Sequence, residues 1–465
     1  MTTVAAPLPT RRKDLLARLA EPHCFDLAVI GGGATGLGVA LDAAARGFSV
    51  VLVESHDFAK GTSSRATKLV HGGVRYLAQG NIALVREALH ERTTLLHNAP
   101  HLAQPLPFVM PSYHWWETPF YGAGLLMYDV LAGKAGLGAT QFLGRERTLQ
   151  CLPTVRTEGL KGGVKYWDGQ FDDARLALAL ARTAASHGAL LVNYCPAREL
   201  IHEGGRVAGL VCEDVESGRR FRVRARSVVN ATGVWVDDLR QMDGEAIGRP
   251  VKPIVAPSQG VHIVVDREFL PADHALMVPK TADGRVLFAV PWLGKLILGT
   301  TDSPRQDVVR EPEPFREEVD FILQESARYL TRAPRAADIR SIWVGLRPLV
   351  KPQDDDGDNK WTTYRTMAED VLQKCFTLEL LPSRPAGITN NLPLVGAPAQ
   401  PVTHRISELQ GLHSYGSEAR FVADLPGNSE CLSEGLTEAM VRFAARYEYA
   451  STVEDMLARR SRLLF

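Results

Sequence analysis

The sequence predicts a mixed α/β fold in which a nucleotide-binding layer is joined to an antiparallel β layer and to a helical carboxyl-terminal part. Three observations predict it. A glycine-rich turn joins an apolar strand to a helix at residues 26–38. Strands separated by Pro, Asp and Gly turns occupy residues 250–350, and helical patterns dominate after residue 385. These patterns assign the chain to the α/β class.

The turn at residues 31–36 has the form of a site for the ADP half of a dinucleotide. The apolar run at 27–30 is typical of a buried parallel strand, and a helix is predicted over 37–46. Gly31 permits the tight turn, Gly33 lets the backbone approach a pyrophosphate, and Gly36 lets the helix pack on the strand. The amino end of the helix favours an anion, so we expect the pyrophosphate there.

A second apolar strand, at 49–53, leads directly to Glu54. A carboxylate at this place can accept hydrogen bonds from a ribose hydroxyl, and it suits a 2′-phosphate poorly. The alternative is a glycine-rich strand-to-helix turn that binds nothing. That alternative explains less, because it accounts for neither the second strand nor the acid.

A later segment is predicted to return beside the dinucleotide. Strands at 189–194, 207–213 and 221–223 lead into the sequence NATG at 230–233, where Thr232 and Gly233 follow an apolar strand. A dinucleotide fold interrupted by such an insertion is typical of flavoproteins, and no second GxGxxG indicates a nicotinamide domain. The expectation is a Rossmann-like FAD-binding fold of the glutathione-reductase/amine-oxidase type, with FAD as cofactor.

Composition excludes several classes of protein. The chain has 465 residues, so two or three domains are expected. Its 53 basic side chains equal its 53 Asp and Glu, so no overall field favours nucleic acid or an acidic membrane. Six scattered cysteines without a CxxC pair predict buried thiols in a reducing cytosol and no metal site. No apolar run approaches the roughly 18 to 20 residues of a membrane span, and no signal core precedes residue 24, so a secreted or transmembrane protein is not expected.

We expect three parts in the chain. Residues 1–24 form an extension, preferably interpreted as a frayed terminus. Residues 25–376 form the FAD-binding domain, interleaved with a substrate layer mainly at 100–165 and 250–345. Residues 385–465 form a helical domain, with helices at 403–409, 417–423 and 436–464. A helix at 120–131, after Trp115 and Trp116, is interpreted as buried by default, with a lipid contact or a dimer surface as alternatives.

Several motifs stand in one characteristic order, and with them the sequence resembles the FAD-dependent, respiratory glycerol-3-phosphate dehydrogenases. They are IGGG at 30–33, TSSRATK at 62–68, HGGVRYL at 71–77, FDDARL at 171–176, NATGVW at 230–235, GTTD at 299–302, GLRPL at 345–349 and KWTTYR at 360–365. The likeness covers most of residues 25–380. HGGxRYL after TSS is its most specific part.

The resemblance implies that sn-glycerol 3-phosphate is oxidised at its secondary alcohol, that hydride passes to the flavin, and that dihydroxyacetone phosphate leaves. It also implies a quinone as electron acceptor, peripheral attachment to the cytoplasmic face of the membrane, and a possible homodimer. Arg75 and Arg347 match the family's anion-holding arginines, whose planar forks suit a phosphate. His71 is the candidate base, and Lys360, at the head of a helix over 361–374, would face the reduced flavin. Further FAD contacts are implied for Thr62, Ser63, Ser64, Lys68, Gly72 and Gly73.

These roles have alternatives. His71 could only orient the glycine loop, and Arg75 could be a structural ion-pair partner. Arg347 lies in an apolar strand, so it needs either an anion or a carboxylate beside it. Thr301 and Asp302 could line the site or form a capped turn.

The chain departs from the family just before Lys360. Relatives usually place two strands there, with a further arginine that faces substrate, and carry Gly-Gly-Lys before the helix. Here residues 349–359 are crowded with carboxylates and are too few for two strands of about 5 to 6 residues and a turn. Two other functions therefore stay open beside the dehydrogenase: a related flavin oxidase that uses oxygen or another small hydroxy acid, and a degenerate flavin-fold protein without turnover.

Overall fold

The computed structural model describes residues 6–73, 80–281, 284–350 and 361–465. In these ranges the α-helices are α1 (Arg12–Leu19), α2 (Ala34–Ala45), α3 (Ile82–Asn98), α4 (Glu117–Ala132), α5 (Arg145–Cys151), α6 (Asp173–Ser186), α7 (Val236–Ala246), α8 (Arg316–Tyr329), α9 (Tyr364–Thr377), α10 (Ala419–Ala423), α11 (Glu438–Tyr447) and α12 (Val453–Asp455). The strands are β1 (Cys24–Ile30), β2 (Val50–Val53), β3 (Leu69–Val70), β4 (Ala103–Ser112), β5 (Gln141–Gly144), β6 (Gly162–Phe171), β7 (Leu190–Val192), β8 (Ala197–Glu203), β9 (Arg206–Glu213), β10 (Arg220–Asn230), β11 (Val255–Asp266), β12 (Ala275–Val278), β13 (Leu287–Trp292), β14 (Lys295–Gly299), β15 (Ser303–Pro304), β16 (Ser341–Val350), β17 (Cys431–Ser433) and β18 (Leu436–Thr437).

The nucleotide layer is a sheet in the order β7-β2-β1-β10-β9-β8. Its first four strands are parallel, and β9 and β8 continue it as an antiparallel meander. Ile30 pairs with Val53 on one side and with Asn230 on the other. The glycine turn, Glu54 and the NATG segment therefore meet at one edge of the sheet, which confirms the predicted return of the chain.

Helix α2 packs between this sheet and two further helices, α6 and α9. Its buried residues are almost all small or aliphatic, so neighbouring helices approach closely. A Cβ on Gly38 would lie 2.9 Å from the Tyr364 ring. The predicted helix over 361–374 is confirmed, beginning with a 3₁₀ turn at Trp361–Thr363 and continuing as α9.

The second layer is a mainly antiparallel sheet in the order β15-β11-β14-β13-β12-β4-β6-β3, with β16 on β11 and β5 on β6. Its long strands β11 and β16 pair from Val255–Val350 to Val264–Ser341. The strands predicted near 260–265, 285–290 and 295–299 are confirmed as β11, β13 and β14. This sheet places residues 258–262 and 345–348 beside the nucleotide layer.

Several local predictions were wrong. Residues 12–19 are not frayed but form α1, whose Leu15 and Leu19 are buried in the core of the nucleotide layer. Residues 403–409 are not helical, because the Ile406 and Ser407 carbonyl groups accept hydrogen bonds from the turn at Leu293.

The predicted helix over 436–464 is also broken. Helix α11 ends before Tyr449, which has a positive φ of 57°. The chain then turns so that Arg459 and Arg460 both reach the buried carboxylate of Asp57. Because these ion pairs join distant parts of the sequence, local periodicity could not reveal the break.

Candidate active site

A cavity of about 680 Å³ runs between the two layers. Its lining includes Gly31, Gly33 and Glu54 at the nucleotide end, and His71 and Arg347 at the end formed by the second sheet. Such a continuous cleft suits an elongated ligand together with a smaller one at its far end.

The glycine turn is fixed by close contacts with backbone. Gly31 has a φ of 113°, and a Cβ on it would lie 2.4 Å from the Ala231 carbonyl oxygen. A Cβ on Gly36 would lie 1.9 Å from the Gly31 carbonyl oxygen, so Gly36 serves packing and does not line the cavity. Gly33 precedes α2 as its N-cap, which turns the free amides of the helix towards the cavity. The turn therefore fits the pyrophosphate of a dinucleotide.

Glu54 is held firmly at the end of β2. Its carboxylate accepts hydrogen bonds from the amides of Gly32 at 2.6 Å and His56 at 2.9 Å, and from the Ser55 hydroxyl at 3.0 Å. Because it also lines the cavity, its predicted contact with a ribose fits its position.

The segment at 62–68 divides into a lining part and a supporting part. Thr62 and Ser63 line the cavity, and the Ser63 hydroxyl accepts a hydrogen bond from the Ala34 amide at 2.9 Å. Ser64 and Lys68 lie behind them, so these two side chains do not occupy the FAD-contacting place predicted for them. Lys68 is fully buried and donates to Asp173 at 2.6 Å and to the Ser64 carbonyl at 2.7 Å. Burial, followed by the charge of Arg462, lowers the pKa of Lys68 to about 7.

Residues 71–73 also include both a cavity-lining part and a part buried behind it. His71 lines the cavity, whereas Gly72 and Gly73 are buried behind it. Thr232 and Gly233 line the cavity from the opposite side. The predicted sites Arg75 and Lys360 lie outside the described residues.

Arg347 enters the cavity from β16. It donates to the Asp302 carboxylate at 2.8 Å, to the Thr300 hydroxyl at 3.2 Å and to the Thr301 carbonyl at 3.2 Å. Gly260 makes room for it, since a Cβ there would lie 2.4 Å from Arg347 Nη2. A carboxylate therefore does accompany this arginine, but the side chain remains 29% exposed and faces the cleft.

His262 is a site residue that the sequence interpretation missed. It lines the cavity, its Nε2 lies 2.9 Å from the Thr67 hydroxyl, and its ring stacks on Trp343 with centroids 5.2 Å apart. Burial, with the charges of Arg347 and Lys68, holds the pKa of His262 well below its usual value, so the ring is neutral. The sequence feature that could have identified His262 is an imidazole inside an otherwise apolar strand.

Comparison with known proteins agrees with this arrangement. The family of FAD dependent oxidoreductases matches residues 26–360, and the C-terminal domain of alpha-glycerophosphate oxidase matches residues 387–465. Fold and site thus define an FAD-dependent oxidoreductase, with FAD as its cofactor.

Similar proteins identify the family within this class of oxidoreductases. The mitochondrial glycerol-3-phosphate dehydrogenase of Rattus norvegicus is 40% identical over 98% of this chain and 70% of its own length, and that of Saccharomyces cerevisiae is 35% identical over 99% and 86%. The glycerol-3-phosphate dehydrogenase from Bacillus halodurans complexed with FAD has a TM-score of 0.77 and 30% identity, covering 97% of this chain and 88% of that one. The chain belongs to the FAD-dependent glycerol-3-phosphate dehydrogenase family. L-alpha-glycerophosphate oxidase from Mycoplasma pneumoniae shares the fold, with a TM-score of 0.61 and 15% identity.

Proposed function

We propose that this protein oxidises sn-glycerol 3-phosphate to dihydroxyacetone phosphate. The observation that supports this most directly is that Arg347, His71 and His262 line the same cleft as the dinucleotide turn. FAD, when bound, supplies the acceptor for the hydride on the secondary carbon. The protein must then bind a phosphate dianion and take up one hydroxyl proton.

Arg347 is the proposed phosphate ligand. Its planar guanidinium can meet two phosphate oxygens at once, which an ammonium group cannot do in a fixed geometry. Asp302 and Thr300 hold the fork in place before substrate arrives. We propose Arg75 as the second phosphate ligand and Lys360 as the cation beside the flavin, on the sequence resemblance.

Two imidazoles are candidates for the proton acceptor. His262 is neutral and can accept a hydrogen bond from the hydroxyl, but the burial and nearby cations that keep the ring neutral also make it a weak base. His71 lies at the same end of the cavity and is the base predicted from the sequence. The pH dependence of flavin reduction in His262→Gln and His71→Gln proteins distinguishes them, because only loss of the true base removes the fall in rate on the acid side of the profile.

The test of substrate is anaerobic mixing with glycerol 3-phosphate while the flavin absorption is followed. We expect bleaching, and we expect Arg347→Ala to raise the KM about 100-fold, as loss of a buried charged partner costs about 2–5 kcal/mol. Arg340→Ala is the matched control, since Arg340 lies just before the same strand and pairs with Asp266. An equal effect of Arg347→Ala on glycerol, which has no phosphate, would contradict the proposal.

The compound that reoxidises the reduced flavin distinguishes the dehydrogenase from a flavin oxidase. We propose a quinone as electron acceptor, so added quinone should restore flavin colour faster than oxygen does. Faster recovery with oxygen would identify a flavin oxidase, and protein that takes up no FAD would identify a degenerate family member.

The exposed face of α4 supports the proposed peripheral attachment to the cytoplasmic face of a membrane. No described helix is long and apolar enough to span a bilayer. The prediction of a buried α4 was wrong for one face of the helix, where Phe120 and Val130 are 66% and 79% exposed; Trp115, just before the helix, is 82% exposed. The helix carboxylates do not face outward with them, since Glu117 and Asp129 bind backbone amides. Tryptophan beside an uncharged apolar helix face is typical of an interfacial lipid contact.

Sedimentation with vesicles of mixed neutral and anionic phospholipids tests this surface. We expect Phe120→Glu/Val130→Glu to abolish binding and Ile247→Glu, at an exposed apolar residue elsewhere, to leave it unchanged. If the double variant instead changed a dimer to a monomer without affecting sedimentation, the face would be a homodimer surface and the lipid proposal would be wrong.

A further inference from the structure

The segment 305–313, which follows β15, crosses from the second sheet to the nucleotide layer; we call it the crossing segment. Glu311 pairs with Arg65 and also with Lys60, at 3.6 Å. The Arg310 carbonyl accepts a hydrogen bond from Arg65 at 3.3 Å. Both partners, Lys60 and Arg65, line the cavity, so the crossing segment is fastened along its rim.

Arg310 extends from this segment over the cavity. Its guanidinium carbon lies 5.0 Å from the centre of the Trp235 ring, and Nη1 lies 3.2 Å from His56 Nδ1 and 3.4 Å from the Ser55 hydroxyl. All four residues line the cavity, and Ser55 and His56 directly follow Glu54 at the end of β2. Arg310 therefore stands at the nucleotide end of the cleft, far along the chain from the glycine turn.

The local charge favours an anion. No carboxylate among the described residues forms an ion pair with Arg310. Burial, and then the positive charges of Arg310 and Lys60, lower the pKa of His56 to about 4, so the ring adds no charge of its own. Of the nearby acids, Glu311 and Glu454 are each engaged with Lys60. Glu54 is engaged with the Gly32 and His56 amides and the Ser55 hydroxyl. A guanidinium stacked on indole retains free donor groups for a phosphate.

We propose that Arg310, stacked on Trp235, binds the AMP half of FAD and that the crossing segment retards FAD release. This role rests on FAD as the family's cofactor and does not depend on which substrate is oxidised. Arg310 would be contributed by the second layer, so cofactor retention would depend on contact between the two layers. The ligand chemistry is the phosphate and ribose of an adenosine diphosphate moiety.

The test is FAD release from the holoenzyme after dilution, followed by flavin fluorescence. We expect Arg310→Ala to release FAD about 10- to 100-fold faster, as one charge-assisted hydrogen bond contributes about 1.5–3 kcal/mol. Glu311→Gln should accelerate release less, because it loosens the segment and keeps the guanidinium. Arg335→Ala is the matched control, since Arg335 is exposed and pairs locally with Asp338.

Two further measurements test the role of Arg310. The far-ultraviolet circular dichroism of FAD-loaded Arg310→Ala should match that of the parent protein, which excludes misfolding as the cause of faster release. The dissociation constant of ADP should rise in Arg310→Ala by about the same factor as the rate of FAD release, because ADP carries the same AMP half. Unchanged FAD release, or an unchanged dissociation constant of ADP, would overturn the assignment to the AMP half.

Discussion

The Tyr128 hydroxyl accepts a hydrogen bond from the Gly72 amide at 2.8 Å and thereby links α4 to the segment that carries His71. The same hydroxyl donates to Asp168 at 2.9 Å, and Arg92 pairs with that carboxylate at 3.0 Å. Burial, and then the charge of Asp168, raise the pKa of Tyr128 well above its usual value, so the hydroxyl stays protonated. The cavity wall is therefore supported from behind by a buried polar network.

Tyr128→Phe should lower the free energy of unfolding by about 1–3 kcal/mol, because Asp168 loses its hydroxyl partner in a buried place. It should also lower kcat, since the Gly72 amide would keep only a long contact of 3.4 Å with Asp168. Urea unfolding and steady-state kinetics check both effects. Tyr121→Phe, in the same helix but half-buried, is the control. Parent-like stability of Tyr128→Phe would count against the network.

Gly260→Ala should raise the KM for substrate without lowering FAD content. The added Cβ would lie 2.4 Å from Arg347 Nη2 and 2.8 Å from the Thr300 hydroxyl, so the guanidinium must move. Overpacking of this kind costs about 1–3 kcal/mol. Gly144→Ala is the matched control, because a Cβ there meets nothing within 4 Å. The prediction is checked by kinetics and by the flavin-to-protein absorbance ratio, and an unchanged KM would contradict it.

Lys68→Met should destabilise the fold while leaving the flavin spectrum unchanged. Lys68 pairs with buried Asp173, and removal of one member of a buried pair costs about 3–5 kcal/mol. Chemical unfolding and the flavin spectrum are the measurements, with Lys161→Met at an exposed position as control. A shifted spectrum at parent-like stability would restore the direct FAD contact predicted from the sequence.

His101→Gln should reduce the loss of stability in acid. Burial, followed by the charges of Arg175 and Arg182, lowers the pKa of His101 to about 3. Below the ordinary pKa of about 6.5 only the unfolded chain binds this proton, so stability falls as pH falls, by about 1.4 kcal/mol per pH unit. Urea unfolding at about pH 7 and about pH 5 measures the difference. Exposed His187→Gln should keep the parent slope, and an unchanged slope in His101→Gln would contradict the prediction.

Local sequence was sufficient to predict the glycine turn and the position of Glu54. Gly31 and Gly36 are predictable because a Cβ at either position would meet neighbouring backbone. The six-residue motif that contains them is recognisable from the sequence alone. The position of Glu54 is also predictable, because it directly follows the next strand along the chain. The residues of segment 62–68 that line the cavity were harder to predict. Some residues of this one short motif line the cavity and others are buried behind it.

His262 and Arg310 could not be assigned in this way. His262 reaches the cavity from β11 and Arg310 from the crossing segment, and neither has a diagnostic neighbour in sequence. The exposure of α4 was also unpredictable, because an apolar helix has the same sequence whether it packs inside a core or faces outward. The break after Tyr447 depends on ion pairs of Arg459 and Arg460 with Asp57, which lies 402 and 403 residues away from them in the chain.

The sequence by itself determined that this chain binds a dinucleotide at a strand–turn–helix unit, and its motifs indicated the family. Those features are encoded by short-range sterics: glycine where a side chain would collide, and an acid where a strand ends. Only the tertiary structure decided which charged groups face the cleft and which stand behind it, as Arg347 and Lys68 illustrate. The physical reason is that burial and pairing of a charge depend on strands that are distant in sequence and adjacent only in the folded sheet.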